Sequence, residues 1–221
     1  HLKIAAPQLG PLHKADSRAT ATKRLTNLLR EAHGMGAKFV VFPELALSTF
    51  FPRWWMENQA EDDERYFVGS MPSKDTQPLF DEAKKLGIGF YLGYAELHVE
   101  GGSKHRYNTS ILVDKSGKIL GKYRKVHLPG HREHEPRRPF QNLEKRYFEV
   151  GNLGFPVFRA FGGVVGMAIC NDRRWPETYR VMGLQGVEMV VLGYNTPSVN
   201  SQKADEGPLQ RMFQHRLSLQ A

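Results

Sequence analysis

Cysteine is almost missing from this sequence: among 221 residues the only one is Cys170. A disulfide framework is therefore excluded. A lone thiol fits a reducing compartment, so a cytoplasmic location is expected, and it also fits a reactive role. Long apolar runs are missing too. No stretch approaches the roughly 20 consecutive apolar residues that cross a bilayer, so no membrane partner is expected. Residues 1–8 lack a charged segment followed by an apolar one, and no signal peptide is expected. Asn108-Thr109-Ser110, which fits a glycosylation sequon, is then a chance match. Repeats, low-complexity tracts and linkers are absent as well, so one domain is expected over 1–221.

What is present is ordinary globular composition, 40% hydrophobic and 24% charged, with a net charge of +8. The excess gathers in residues 122–146, where eight Lys and Arg face three Glu. That stretch reads as a solvated loop or a funnel for an anionic substrate. Nucleic acid is not an expected partner, because no zinc-finger spacing, aromatic RNA-binding signature or basic heptad helix accompanies the charge. His127, His131 and His134 suggest a zinc loop, but no cysteine lies near them, and no metal is expected. Lys115-Ser116-Gly117-Lys118 lacks the glycine spacing of a phosphate loop.

Strand and helix patterns alternate. Leu2, Ile4 and Ala6 have period two. Residues 16–36 read as a helix capped by Asp16 or Ser17, with Leu25, Leu28, Leu29 and Ala32 on one face. Residues 38–42 form an apolar run that suits a strand buried on both faces, ending at Pro43-Glu44. A helix over 77–86, with Thr76 as its cap and Gly87 as its stop, precedes a strand over 88–97. Two strands, 107–113 and 118–124, flank a hairpin turn. Residues 126–155 have no clear period, and a loop of that length is expected to be functional. A strand over 164–169, a helix over 176–184, a strand over 187–192 and a helical tail over 206–221 complete the pattern. The fold class is α/β with a mixed sheet.

Glu44, Lys125 and Cys170 each stand just past the carboxyl end of an apolar strand, the edge where α/β sheets bind ligands. If those strands run the same way in one sheet region, the three side chains converge. Their chemistry is coherent. A thiol is nucleophilic only as thiolate. A carboxylate can take its proton, and an ammonium can stabilise the thiolate and then an oxyanion. The backbone N–H of Asn171, on the turn after Cys170, is a second oxyanion donor.

Three motifs resemble the nitrilase (carbon–nitrogen hydrolase) superfamily: Phe42-Pro43-Glu44-Leu45, Gly121-Lys122-Tyr123-Arg124-Lys125-Val126-His127-Leu128-Pro129-Gly130, and Ile169-Cys170-Asn171-Asp172-Arg173-Arg174-Trp175-Pro176-Glu177. They occur in the family's order. The resemblance implies an α-β-β-α sandwich that continues past Ala221, so the C-terminal part of the family domain is expected to be absent from 1–221. It also implies no cofactor, and a dimer or tetramer of like chains. Within the superfamily the likeness is greatest to N-carbamoyl-D-amino acid hydrolases. It is carried by Phe50-Phe51-Pro52-Arg53-Trp54, by residues 138–148, and by Gly193-Tyr194-Asn195-Thr196-Pro197.

That likeness implies hydrolysis of an N-carbamoyl-D-amino acid to a D-amino acid, ammonia and carbon dioxide through an acyl-enzyme. Cys170 is then the nucleophile, Glu44 the general base and acid, Lys125 the oxyanion stabiliser, and Glu144 the second glutamate that holds the lysine and the substrate amide. His127 matches a pocket histidine, and Arg173 and Arg174 match positions near the substrate carboxylate. Arginine suits that carboxylate because it binds it through two parallel hydrogen bonds. Asn195 and Thr196 follow another strand and are expected at the same edge. Asn142 stands where the likeness has a histidine, so a titratable pocket contact is replaced by an amide. The alternatives are another amidase of the superfamily, β-ureidopropionase-like or aliphatic, a catalytically silent scaffold, and a nucleic-acid binder.

Overall fold

The computed structural model describes residues 1–138 and 141–195. Nine strands and five α-helices alternate among them: β1 Ile4–Ala5, α1 Arg18–Gly34, β2 Phe39–Val41, α2 Gln59–Tyr66, β3 Phe67–Val68, α3 Gln77–Leu86, β4 Gly89–Glu100, β5 Ser103–Val113, β6 Ile119–Arg124, α4 Glu144–Tyr147, β7 Val157–Ala160, β8 Gly163–Ile169, α5 Pro176–Leu184 and β9 Met189–Gly193. The first sheet runs β1-β2-β4-β5-β6, with β3 also on β4; the second runs β7-β8-β9. The α-β-β-α sandwich follows from the side-chain alternation of the strands. On β4, Phe90, Leu92 and Tyr94 pack outward with Leu25 and Leu29 of α1 and Leu79 and Ala83 of α3. Tyr91 turns the other way, with Phe39, Leu112 and Tyr123, onto Val165, Met167 and Ile169 of the second sheet. On that sheet's outer side, Gly166 leaves room for the Met182 sulfur of α5.

Ser17, not Asp16, caps α1, its side chain accepting the Thr20 N–H. Thr76 sits at the start of α3, but its hydroxyl accepts the Ser73 N–H instead of capping. The expected strands 88–97 and 107–113 are the halves of one long hairpin, turned at Gly101-Gly102. Three elements were not expected: α2, β3 and β7. The expected loop 126–155 encloses the single turn α4. The expected helical tail over 206–221 lies outside the described residues.

One correction concerns how the three motifs meet. β2 pairs parallel with β4, and β4 and β6 both lie antiparallel to β5, so β2 and β6 run the same way. Cys170, however, directly follows β8 of the second sheet. The side chains converge from two facing sheets, not from one.

Candidate active site

Glu44 lies in the turn after β2 and is buried. Its backbone is wedged between the sheets: a Cβ on Gly93 of β4 would come 2.9 Å from Glu44 Cα, and one on Gly193 of β9 would come 3.0 Å from Glu44 N. The next residue, Leu45, has φ +49°, a left-handed conformation costly for a side chain with a Cβ. Lys125 directly follows β6, held by its N–H to the carbonyl of Asn108 at 2.8 Å. Its Nζ lies 2.7 Å from Glu44 Oε1 and 2.6 Å from Glu144 Oε2. All three side chains are closed to solvent.

Glu144 reaches this pair because α4 is anchored from both ends. The Leu143 N–H donates to the Pro52 carbonyl at 2.8 Å, and the Tyr147 hydroxyl donates to the Trp54 carbonyl at 2.7 Å. Phe51 packs edge-on to Tyr147 at 5.4 Å. The Phe50–Trp54 motif and residues 143–148 are thus one packed unit that delivers Glu144. Asn142, where the likeness has a histidine, accepts the His131 N–H on its backbone carbonyl at 2.9 Å.

Cys170, directly after β8, has φ +47° and opens the tight turn Cys170–Arg174. Strained non-glycine backbone of this kind recurs at functional sites. Burial, with the charges of Glu44 and Glu144, pushes the thiol up to about 11, against the pull of Lys125 and Arg173. Lys125 is held well above its ordinary value: burial opposes its charge, but Glu144 and Glu44 outweigh it. Burial and the neighbouring Glu44 raise Glu144. The arrangement can do acyl chemistry: a thiol, a carboxylate to receive its proton, and a fixed ammonium that can face a developing oxyanion.

Asp172 is buried and went unnoticed in the sequence. Its Oδ1 accepts the His127 N–H at 3.0 Å and ring Nδ1–H at 2.9 Å. Its Oδ2 accepts the Tyr123 hydroxyl at 2.8 Å and the Ile169 N–H at 3.0 Å. The carboxylate puts the imidazole proton on Nδ1, and the ring lies stacked on Trp175 at 5.1 Å. The only sequence signal was an acidic residue two positions after the cysteine.

The remaining expected residues are placed as follows. Arg173 donates to the Cys170 carbonyl at 2.6 Å and lies 3.8 Å from its Sγ. Its guanidinium also lies 4.9 Å from the centre of the Tyr194 ring. Arg174 donates to Asn171 Oδ1 at 3.3 Å, and Asn171 Nδ2 donates to the His127 carbonyl at 3.0 Å. The Asn171 side chain is therefore a bridge between His127 and Arg174. Arg173 Nη2 and Arg174 Nε are buried without a hydrogen-bond partner among the described residues. Burial and the charge of Arg173 lower Arg174. The Asn195 N–H donates to Glu44 Oε2 at 3.2 Å, while Thr196 lies outside the described residues.

A cleft of about 680 Å³ reaches Glu44 from the β1 side, lined by Gln8, Thr49, Arg53, Tyr194 and Asn195, but not by Cys170 or Lys125. The three candidate zinc histidines point to different partners: His127 to Asp172, His131 to Glu135 at 3.7 Å, and His134 onto Trp55 at 4.6 Å.

The chain is 33% identical over 196 residues to N-carbamoylputrescine amidase of Arabidopsis thaliana, covering 87% of this chain and 58% of that one. It is 28% identical over 191 residues to citrullinase of Francisella tularensis, covering 86% and 60%. The chain thus spans less than two thirds of the length of these relatives. A carbon-nitrogen hydrolase structure from Helicobacter pylori G27 superposes with a TM-score of 0.76 at 24% identity, covering 94% of this chain and 65% of that one, and supports the fold. Residues 3–221 match the family described as Carbon-nitrogen hydrolase, and with Glu44, Lys125 and Cys170 gathered at one edge of its two sheets, the chain belongs to that family.

Proposed function

We propose that the protein hydrolyses the carbamoyl group of an N-carbamoyl amino acid, with Cys170 as nucleophile. Glu44 takes the thiol proton as Sγ bonds to the carbamoyl carbon, and Lys125 faces the oxyanion that forms. Collapse of that intermediate breaks a C–N bond, and Glu44 returns the proton to the departing nitrogen. Water, deprotonated by Glu44, then cleaves the thioester-type intermediate. In sum, R–NH–CO–NH2 and one water give R–NH2, ammonia and carbon dioxide.

One observation carries the substrate class. Two guanidinium groups follow the thiol in one turn, Arg173 beside its Sγ and Arg174 on the Asn171 amide, each with a buried N–H lacking a partner among the described residues. An unpaired buried donor is costly, and a carboxylate is the group that two such forks bind best. The names of the two relatives point to ureido-bearing molecules, N-carbamoylputrescine and citrulline. The cationic tail of the first would meet Arg173 and Arg174 as like charges, which favours an amino acid derivative. Preference for the D-enantiomer rests on the likeness to N-carbamoyl-D-amino acid hydrolases.

The test is ammonia release from N-carbamoyl-D-phenylalanine, its L-isomer and N-carbamoylputrescine, with the protein and with Cys170→Ala. Release from the D-isomer, abolished by the substitution, is the expected result. Release from N-carbamoylputrescine alone would overturn the assignment of the arginines. Silence on all three, with Cys170 still alkylated rapidly, would move the substrate to another amide.

A further inference from the structure

Asn108 belongs to no motif and drew attention only as a sequon. It lies on β5 opposite Ala95 and is fully buried. Its amide Nδ2 donates to Glu44 Oε1 at 2.8 Å, the oxygen that also receives Lys125 Nζ at 2.7 Å. Glu144, on the far side of Lys125, is also influenced by this amide, which lowers its pKa against the effect of burial. Its backbone carbonyl accepts the Lys125 N–H at 2.8 Å. One residue therefore touches both Glu44 and Lys125 of the buried charge cluster. The orientation of its amide is forced, because turning it over would set Oδ1 against a carboxylate oxygen. Oδ1 is left buried with no partner among the described residues. Packing does not account for such a group, since a half-satisfied amide costs stability that an apolar side chain of the same size would not.

We infer that Asn108 is a positioning residue: its side chain holds Glu44, and its backbone holds Lys125, in the arrangement that keeps Lys125 between Glu44 and Glu144 and turns Glu44 toward the thiol. The inference rests on the reading that Glu44 receives the Cys170 proton. The groups facing the amide and its partners come from every element around them: Glu44 after β2, Lys125 after β6, Glu144 on α4, Cys170 after β8, and the Asn195 N–H after β9. Burial raises Glu144 and the Asn108 amide opposes that rise, so losing the amide raises Glu144 further.

The test is the rate of Cys170 alkylation by iodoacetamide against pH, in the protein and in Asn108→Leu. Alkylation needs no carbamoyl substrate, so a wrong substrate leaves this test intact. Failure of the nucleophile reading shows separately, as a wild-type rate near that of a free thiol. The expected result is a plateau roughly tenfold lower, in keeping with loss of a charge-assisted hydrogen bond, and an acid-side midpoint moved to higher pH. Asn108→Ser, which keeps one donor and adds no bulk, is expected to recover part of both, and it carries the test if the leucine variant does not fold. An unchanged midpoint, whether the plateau is kept or falls together with the melting temperature, would overturn the proposal and leave Asn108 a packing residue.

Discussion

Asp172 holds His127 twice through one oxygen, accepting the backbone N–H at 3.0 Å and the ring Nδ1–H at 2.9 Å. With its other oxygen on Tyr123 and Ile169, this buried carboxylate ties the end of β6 to the end of β8, and so the lysine to the cysteine. Replacing it by the isosteric amide removes acceptor capacity from a group that faces four donors. Asp172→Asn is expected to destabilise the fold by about 1.5–3 kcal/mol, the range for hydrogen bonds to a charged group. Thermal unfolding measures that loss. If the tie also fixes the thiol, the alkylation rate of Cys170 falls with it.

Lys125 neutralises two carboxylates where no water reaches. Lys125→Met keeps much of the volume and removes the charge. Breaking a buried pair on one side costs about 3–5 kcal/mol, because the partner is left uncompensated. Part of that cost is escaped by taking up a proton. Glu144, already raised by burial and by Glu44, rises further in the variant once the opposing charge is gone. A group whose folded pKa lies above its unfolded value supports folding below the unfolded value and loses that support as pH rises through the folded one. The variant is therefore expected to lose more stability at pH 8 than at pH 5 in urea titrations. Equal losses at both would mean that Glu144 does not take up the proton.

The thiol carries the complementary prediction. Burial first, then the charge of Glu44, holds Cys170 up at about 11. Glu44→Gln removes a charge that raises the thiol. Its ionisation, followed by thiolate absorbance, is expected to move below about 11 even as ammonia release disappears for want of a proton acceptor. The two readouts moving in opposite senses separate a base from a merely structural neighbour. A thiol that stays near 11 in the variant would show that Glu44 is not beside it.

How much of this was legible in the sequence depends on how far each residue reaches. Glu44, Lys125 and Cys170 stood out because each ends an apolar strand and each lies in a contiguous motif. The sheet to which each strand belongs was hidden, since hydrophobic period reports burial and not the neighbour. Asn108 and Asp172 were hidden for a related reason: their partners lie 64 and 45 residues away, and a polar residue in a strand or turn has no local mark of such a bond. β3, two residues long, lies below what any pattern can reveal. α2 had a readable start, Asn58 capping Ala60 and Glu61, but its polar composition concealed it. Glu144 was placed by resemblance alone; its position depends on Phe51 and Tyr147, whose packing no spacing in the 126–155 stretch announces.

Acid stability tests a second buried cluster, next to the first. Glu96 on β4 accepts from Arg124 at 2.8 and 3.0 Å and from Thr109 at 2.8 Å, with Lys122 also on it. Burial alone would raise its pKa, but Arg124, Lys122 and Thr109 outweigh that and bring it to about 2. A carboxylate depressed in the folded state contributes stability above its unfolded value and loses it as pH falls through the folded one. From an ordinary value near 4.3 that amounts to roughly 3 kcal/mol, lost between about pH 5 and pH 2. Glu96→Gln is expected to be less stable at pH 7 and to show a flatter acid limb in denaturant titrations. Parallel limbs in the two proteins would remove Glu96 as the cause.

The most local prediction concerns the wedge around Glu44. A Cβ on Gly193 would meet Tyr91 Cε1 at 2.7 Å, the Phe42 carbonyl at 2.9 Å and Glu44 N at 3.0 Å. Two of those three atoms are backbone, which cannot swing aside as a side-chain tip can. Gly193→Ala must therefore push β9 from β2 and shift the turn that carries Glu44. Overpacking of this kind costs about 1–3 kcal/mol. A shift of even 1 Å in a reacting group can cost on the order of 100-fold in rate. Gly183→Ala is the control, since on α5 its Cβ would meet nothing within 4 Å and alanine favours the helix by about 0.5–1 kcal/mol. Ammonia release and melting temperature are expected to fall together for Gly193→Ala and to hold or rise for Gly183→Ala. Full activity in Gly193→Ala would mean that the two sheets tolerate separation at this edge and that Glu44 is positioned by its hydrogen bonds to Lys125, Asn108 and Asn195, not by the wedge.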